Sequence, residues 1–167
     1  MRSSVEITGL LPEHWAVVRQ IYLQGIETKC ATFQTEAPSW TEWDSAHFQG
    51  LRYVLLQNGA VAAWAALSPI SSRPVYAGVT EVSIYVHQDF RAQGIGKLLF
   101  QHLISESERA GIWTLQSGIL AENKASIALH EKLGFRRVGY REKVGKLDNR
   151  WRDTILMERR SKVAGIT

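Results

Sequence analysis

A chain of 167 residues with 45% hydrophobic and 22% charged side chains is the size of one domain and apolar enough to bury a core, which excludes a disordered or fibrous protein. Twenty basic against sixteen acidic residues leave a net charge of +4, and the single cysteine, Cys30, excludes an internal disulfide and any metal site built on several cysteines. The stretch MRSSVEITGL lacks the charged head and long apolar run of a secretion signal, and no segment approaches the ~20 apolar residues of a membrane span, so a protein of the reducing cytoplasm is expected.

No repeat, low-complexity tract or linker interrupts the sequence, and residues 1–167 read as one domain. Residues 5–10 form a predicted strand, and Pro12 opens a helix from about Glu13 to Gly25. After the loop CATFQTEAP, Ser39 caps a second helix, with Glu42 completing a capping box and Gly50 closing it. YVLLQNGAVAAWAALSPI is two apolar runs joined at Asn58-Gly59, a strong hairpin signal because both residues tolerate positive φ. Past the loop SSRPVYAG, the run VTEVSIYVH places Glu81, Ser83 and Tyr85 on one strand face and Val82, Ile84 and Val86 on the other. Ile95, Leu98, Leu99 and Leu103 then fall at helical spacing up to Gly111. IWTLQSGIL is a strand, KASIALHEKLG a helix capped by Asn123 and stopped at Gly134, and FRRVGYREKVGK and RDTILMER are two more strands. The order βαα, three strands, then αβαββ predicts an α+β (mixed α/β) fold, a mixed sheet covered by helices.

The most informative stretch is VSIYVHQDFRAQGIGKLL, in which a strand and a polar turn lead to Arg91-x-x-Gly94-x-Gly96-Lys97 at the start of a helix. A helix start offers unpaired amides and a positive dipole end, and glycines let a phosphate approach that backbone; Arg91 and Lys97 add charge at the rim. A Walker A loop would need glycine where Arg91 stands and Ser or Thr in place of Leu98, and a Rossmann fingerprint would need a small residue in place of Leu99, so neither fits. A tight strand-to-helix turn with no ligand is the other reading. On the later helix, at roughly 100° per residue, Asn123, Ser126 and His130 share one stripe opposite Ala125, Ala128, Leu129 and Leu133.

Glu81 stands in an apolar β run where burial would strengthen it as a base; the alternative is a solvent-facing glutamate on an edge strand. Arg73 can fork a substrate carboxylate or be an ordinary surface arginine, and Phe33 and Tyr76 wall a pocket or simply pack. The six tryptophans read mostly as core, and Cys30, with only Lys29 as a basic neighbour, as an inert thiol. His14, His47, His87 and His102 lack ligand spacing, so no metal is expected. Residues 136–162 carry ten basic and four acidic side chains, net +6, against net −2 over residues 1–135. Such a cationic end suits nucleic acid, an anionic membrane surface or a phosphorylated small molecule, or is only a solvated strand pair. With only Phe135, Tyr140 and Trp151 in or beside it, that end lacks the interleaved aromatics of a nucleic-acid platform.

Arg91-x-x-Gly94-x-Gly96 after EVSIYV, together with Asn123-x-x-Ser126 and Leu129-His130-Glu131-Lys132-Leu133-Gly134-Phe135, resembles the GNAT superfamily of acetyl-CoA-dependent N-acetyltransferases. The resemblance runs from residue 5 to about residue 159. It implies a splayed mixed sheet of about seven strands flanked by about four helices, with acetyl-CoA as co-substrate and no metal. It further implies that Ile84, Tyr85 and Val86 contact the pantetheine arm, one of their amides receiving the oxyanion, while Arg91, Ala92, Gln93, Gly94, Ile95, Gly96 and Lys97 hold the pyrophosphate. Asn123, Ser126 and Lys132 would also touch the cofactor. A closer similarity, to the phosphinothricin and methionine sulfoximine acetyltransferases, rests on ATFQTE at 31–36, Arg73-x-x-Tyr76-x-x-x-x-Glu81-x-Ser83, NKASI at 123–127, Leu129-His130 and Trp151-x-Asp153. It implies a small amino acid as acceptor, held by Phe33, Arg73, Tyr76 and Glu81, with Glu81 and His130 moving protons during direct attack in a ternary complex. It also implies a homodimer in contact through the C-terminal strands, with no nucleic-acid or membrane partner. The chain departs from that branch before Glu81, where Tyr76-Ala-Gly-Val-Thr replaces an aromatic-rich segment. An acetyltransferase for another amine (protein, polyamine or antibiotic), a non-catalytic acyl-CoA binder and a nucleic-acid-binding domain are the competing classes.

Overall fold

Local signals in the sequence set the elements. In the computed structural model, which describes residues 2–167, Asn58 and Gly59 take φ of 50° and 81° and turn strand β2 (Arg52–Gln57) into β3 (Ala60–Pro69). Ser39 and Glu42 form the reciprocal capping box at the start of helix α2 (Trp40–Ala46). The Asn123 side chain accepts the Ser126 amide at 3.2 Å and so starts α4 (Lys124–Lys132). The first long helix, α1, runs Trp15–Glu27 and is preceded by a 3-10 turn over Pro12–His14, so it starts two residues later than Glu13. Helix α2 ends at Ala46, not near Gly50. Buried Arg52 donates to the carbonyls of Asp44 (2.9 Å), His47 (2.7 Å) and Phe48 (2.9 Å) and pairs with the Asp44 carboxylate, satisfying the helix end from a neighbouring strand.

With β1 (Val5–Gly9), β4 (Val79–Val86), β5 (Thr114–Leu120), β6 (Arg136–Leu147) and β7 (Arg150–Arg160), these strands make one sheet of seven in the order β1-β2-β3-β4-β5-β7-β6. All neighbours are antiparallel except β4 and β5. The mixed α/β architecture with four helices is the one the resemblance implied. Helices cover both faces, so β3 is buried on both sides and carries small residues. Ala63, Ala65 and Leu67 meet Leu99, Phe100 and Leu103 of α3 (Ile95–Arg109), whereas Trp64 and Ala66 meet Val18 and Ile21 of α1 and Trp43 of α2. No helix among the described residues is long and apolar enough to cross a membrane.

Five of the ten basic side chains in residues 136–162 bond carboxylates or carbonyls within the fold. Arg136 pairs with Glu158, Arg137 with Glu131, Arg152 with Glu122 and Arg159 with Glu108, while Arg160 donates to the carbonyls of Ser161, Ala164 and Gly165.

The two-sided burial of β3 gives a testable consequence. Ala65→Leu forces a larger side chain between the sheet and α3 and should lower stability by about 1–3 kcal/mol. A urea midpoint equal to that of the parent would refute the close-packing argument.

Candidate functional site

Strands β4 and β5 pair over only three rungs, Val79 with Thr114, Thr80 with Leu115 and Glu81 with Gln116. The closed end is fixed by the amides of Trp113 and Thr114, which donate to the Gly78 carbonyl at 2.9 and 3.0 Å. There the Trp113 ring occupies the place where a side chain at position 78 would stand, its atoms only 2.0–2.3 Å from an added Cβ. Beyond Glu81 the strands part. Residues 82–86 remain paired to β3 and residues 117–120 to β7, and the facing edges have no strand between them. The result is a V-shaped gap with free backbone donors and acceptors along its sides.

At the end of β4 the chain enters the turn flagged by the sequence. Ala92 and Gly94 both have positive φ, 60° and 78°, and alternation of left- and right-handed residues points successive amides into one concavity. Leu98 is the first amide here to bond back, to the Gly94 carbonyl at 3.2 Å, which leaves the amides of residues 93–97 without an acceptor among the described residues. Gly96 packs its Cα face against the sheet and α4, since an added Cβ would lie 3.3 Å from Val86 and 3.7 Å from Leu129. Arg91, Ala92, Gln93, Gly94 and Lys97 are exposed around this concavity, and Ile95 anchors it in the core. The geometry fits a pyrophosphate. Lys132, one turn beyond Leu129 on α4, is exposed and outside the gap, so the structure does not bring it among the lining residues.

The gap opens into a cavity of about 730 Å³ lined by residues of β4 and β5, the start of α4 and the segment between α1 and α2. Ile84 and Tyr85 line it and Val86 does not. The Tyr85 ring turns toward α1, stacking on Trp64 at 4.9 Å and meeting Tyr22 edge-on at 5.0 Å. Burial pushes both phenols upward, partly offset by the Thr32 hydroxyl that they share. Phe33 lies in the lining, its ring placed against Gly145 of β6. The segment carrying it is braced by Arg152, which donates to the Lys29 carbonyl at 3.0 Å.

Several expectations are corrected. Glu81 lines the cavity but is exposed, because its face of β4 looks into the open mouth of the gap rather than into the core. Arg73 and Tyr76 do not reach the cavity. The 3-10 turn Pro74–Tyr76 folds their loop on itself, and the Arg73 guanidinium lies 5.5 Å over the Tyr76 ring, both side chains exposed. Trp43 and Trp64 are buried, as a core reading has it, yet both form the cavity wall, while Trp151 is exposed on β7. The lining carries the carboxylates of Glu36, Glu42 and Glu81 and contains no arginine or lysine.

The polar stripe of α4 is brought to the gap as a unit, with Asn123, Ser126 and His130 all in the lining. His130 is 2% exposed and packs edge-to-face against Phe100 (4.9 Å) and Phe135 (4.8 Å), whose rings also touch each other at 5.4 Å. Its Nδ1 lies 2.7 Å from the Ser126 carbonyl and 3.4 Å from the Ser126 hydroxyl. A carbonyl only accepts, so Nδ1 carries the proton, and the Nε2 lone pair accepts from the Ser117 hydroxyl at 2.9 Å. Burial lowers the readiness of this imidazole to take a second proton, against a smaller opposite effect of the Ser126 carbonyl. Ser117 escaped the sequence reading. The signal for it was there, a lone serine between Leu115 and Ile119 on the buried face of β5.

Comparison with known proteins agrees with this geometry. The sequence model of the Acetyltransferase (GNAT) family matches residues 15–135. The chain belongs to the GNAT acetyltransferase family. It is 31% identical over 163 residues to the phosphinothricin N-acetyltransferase of Streptomyces viridochromogenes, covering 95% of this chain and 88% of that one. It is 37% identical over 121 residues to the ribosomal protein bS18-alanine N-acetyltransferase of Escherichia coli, covering 71% of this chain and 78% of the other. The crystal structure of a GNAT superfamily phosphinothricin acetyltransferase from Sinorhizobium meliloti in complex with acetyl-CoA superposes with a TM-score of 0.87 at 27% identity, covering 100% of this chain and 92% of that one.

The buried imidazole of this GNAT protein leaves a mark on stability. Unfolded, His130 takes up a proton near its ordinary value of about 6.5, whereas the folded protein resists doing so until lower pH. The unfolded state then binds more protons, so stability falls as pH drops below about 6.5. Urea midpoints at pH 7.5 and 5 should show this loss, and His130→Asn should make the loss smaller; identical pH dependence in the two proteins would contradict it.

Proposed function

We propose that this GNAT acetyltransferase moves the acetyl group of acetyl-CoA to the α-amine of a small amino acid such as phosphinothricin or methionine sulfoximine, by direct attack within a ternary complex. The observation that carries the reading is the parting of β4 and β5 beside a cavity that holds Glu81 and His130, with the bare-amide turn following the end of β4. Acetyl-CoA supplies an acyl group already activated as a thioester, so no covalent enzyme intermediate is required. The amides of the turn, with Arg91 and Lys97 at its rim, would seat the pyrophosphate, and the free edge of β4 at Ile84 and Tyr85 would hold the pantetheine arm, with Asn123 and Ser126 beside it. An unpaired amide of that same edge is a preorganised donor for the oxyanion. Glu81, a solvated carboxylate beside the acceptor space, receives the proton that the ammonium must lose before it can attack, directly or through water.

Similarity to the Streptomyces enzyme over nearly the whole chain supports an amino-acid acceptor. A second reading is favoured by the lining itself. Three carboxylates and no lysine or arginine in the described lining suit an amine that carries no carboxylate, such as a polyamine, an antibiotic amine or a protein N-terminus. We further propose that residues 1–167 act as one cytoplasmic acetyltransferase domain and form a homodimer through β6 and β7, which expose Val138, Tyr140, Val144 and Trp151.

A thiol-release assay across phosphinothricin, methionine sulfoximine, their decarboxylated amines, polyamines and aminoglycosides decides between the readings. Turnover confined to amines without a carboxylate would overturn the amino-acid acceptor. In the same assay Glu81→Gln should lower kcat by about 100-fold or more while leaving the Kd of acetyl-CoA within about twofold; an unchanged kcat removes Glu81 from the mechanism. By calorimetry, Gly96→Ala should weaken acetyl-CoA by about tenfold, equivalent to about 1.4 kcal/mol, and an unaltered Kd would mean that the turn is not the seat.

A further inference from the structure

We infer that Ser117 is the hydroxyl through which His130 exchanges protons with the reacting atoms, so that a Ser117–His130 pair is the proton relay of the proposed acetyl transfer. The inference rests on the acetyl-transfer reading above and adds a residue to it. Ser117 is the first residue of β5 beyond the last rung shared with β4, since Gln116 is the partner of Glu81. It therefore stands where the two strands part, its side chain on the face of the sheet opposite that of Glu81 and Gln116. Although it lines the cavity, it is only 4% exposed and sits between Leu115 and Ile119 on an otherwise apolar face.

The His130 ring packs against the touching rings of Phe100 and Phe135, and its Nδ1 proton is committed to the Ser126 carbonyl. Its one basic atom, Nε2, is directed at the Ser117 oxygen 2.9 Å away. The ring lines the cavity, but its one basic atom is bonded to that hydroxyl. A buried hydroxyl whose hydrogen bond goes to a neutral imidazole is arranged to give up one proton as it receives another.

The balance closes without any further reagent. Once the neutral amine has formed its N–C bond, the nitrogen carries a surplus proton. That proton passes to the Ser117 oxygen as the serine's own proton passes to His130 Nε2. When the C–S bond breaks, Ser117 delivers a proton to the sulfur and recovers one from Nε2. One N–H and one C–S bond are lost, one N–C and one S–H bond are gained, and the pair returns to its starting state. Glu81 serves the earlier proton, that of the ammonium.

The test is steady-state kinetics by thiol release on the full chain carrying Ser117→Ala, Ser117→Thr, His130→Asn and the double change Ser117→Ala with His130→Asn. Ser117→Ala should lower kcat by about 100-fold with both KM values within about threefold, and Ser117→Thr, which keeps the hydroxyl, should restore kcat to within about tenfold of wild type. The double variant should be no slower than the slower single, because the two groups act as one. Wild-type kcat in Ser117→Ala, or losses that multiply in the double variant, would overturn the relay. Nitrogen-15 NMR of the imidazole reports the pair without turnover: the wild type should show the Nδ1–H tautomer, with the Nε2 signal displaced in Ser117→Ala. An Nε2–H tautomer overturns the relay even in an active enzyme. A wild-type protein that shows the Nδ1–H tautomer but acetylates no amine overturns the acetyl-transfer reading instead.

Discussion

Two parallel strands that share three rungs and then separate leave backbone N–H and C=O groups facing each other across open space, and such groups cost free energy unless something bonds them. The fold is arranged so that the strands cannot close. Each belongs to a different half of the sheet: all seven residues of β5 pair with β7, and β4 pairs with β3 as far as Val86. The start of α4 is tied to the open end of β5, where the Ala121 amide donates to the Asp153 carbonyl at 3.0 Å and the Asn123 amide to the Leu120 carbonyl at 2.9 Å. The bond between Ser117 and His130 then joins β5 to that helix in the interior of the gap.

The same constraint places the turn at Ala92 and Gly94. Strand β4 delivers the chain from the gap directly to the left-handed residues Ala92 and Gly94, and α3 must begin there because its apolar face has to reach β3. Alanines at positions 63 and 65 let α3 approach the sheet closely, and Gly96 lets its first turn press on Val86. Small residues far from any chemistry therefore fix where the free amides point. The turn thus stands at the end of the strand whose residues 81–85 line the acidic, aromatic-walled cavity.

What the sequence revealed and what it hid divide along the range of the interactions involved. Asn58-Gly59, the Ser39 and Glu42 box, the Asn123 cap and the glycine turn are set by neighbours within a few residues, and each stands where the local pattern put it. The helical stripe of Asn123, Ser126 and His130 was equally legible, since one helix fixes its spacing. The end of α2 was not, because its carbonyls are satisfied by Arg52 from a neighbouring strand. Nor was the exposure of Glu81, which depends on the parting of a strand whose partner lies more than thirty residues on. Arg73 misled because a fork suited to a carboxylate is equally suited to the face of Tyr76, three residues away. Ser117 needed both long-range facts at once, the position of α4 and the loss of pairing on β5.

In the proposed reaction the contrast between Glu81 and His130 follows from where the gap is wet. Glu81 is exposed, and the proposed reaction has it take the proton of an incoming ammonium and hand it to solvent. His130 sits on the dry side, where burial disfavours its charged form and a cation would be short-lived. A carboxylate at the mouth and a reluctant base at the apex are suited to different protons: the first must leave for solvent before attack, while the second must stay with the reacting atoms until the sulfur departs. Exchanging the two environments would defeat both tasks. A dry carboxylate would hold its proton, and a solvated imidazole would lose to water the proton that the leaving thiolate needs. In the proposed reaction the splay of the sheet thus separates the protons as well as the strands.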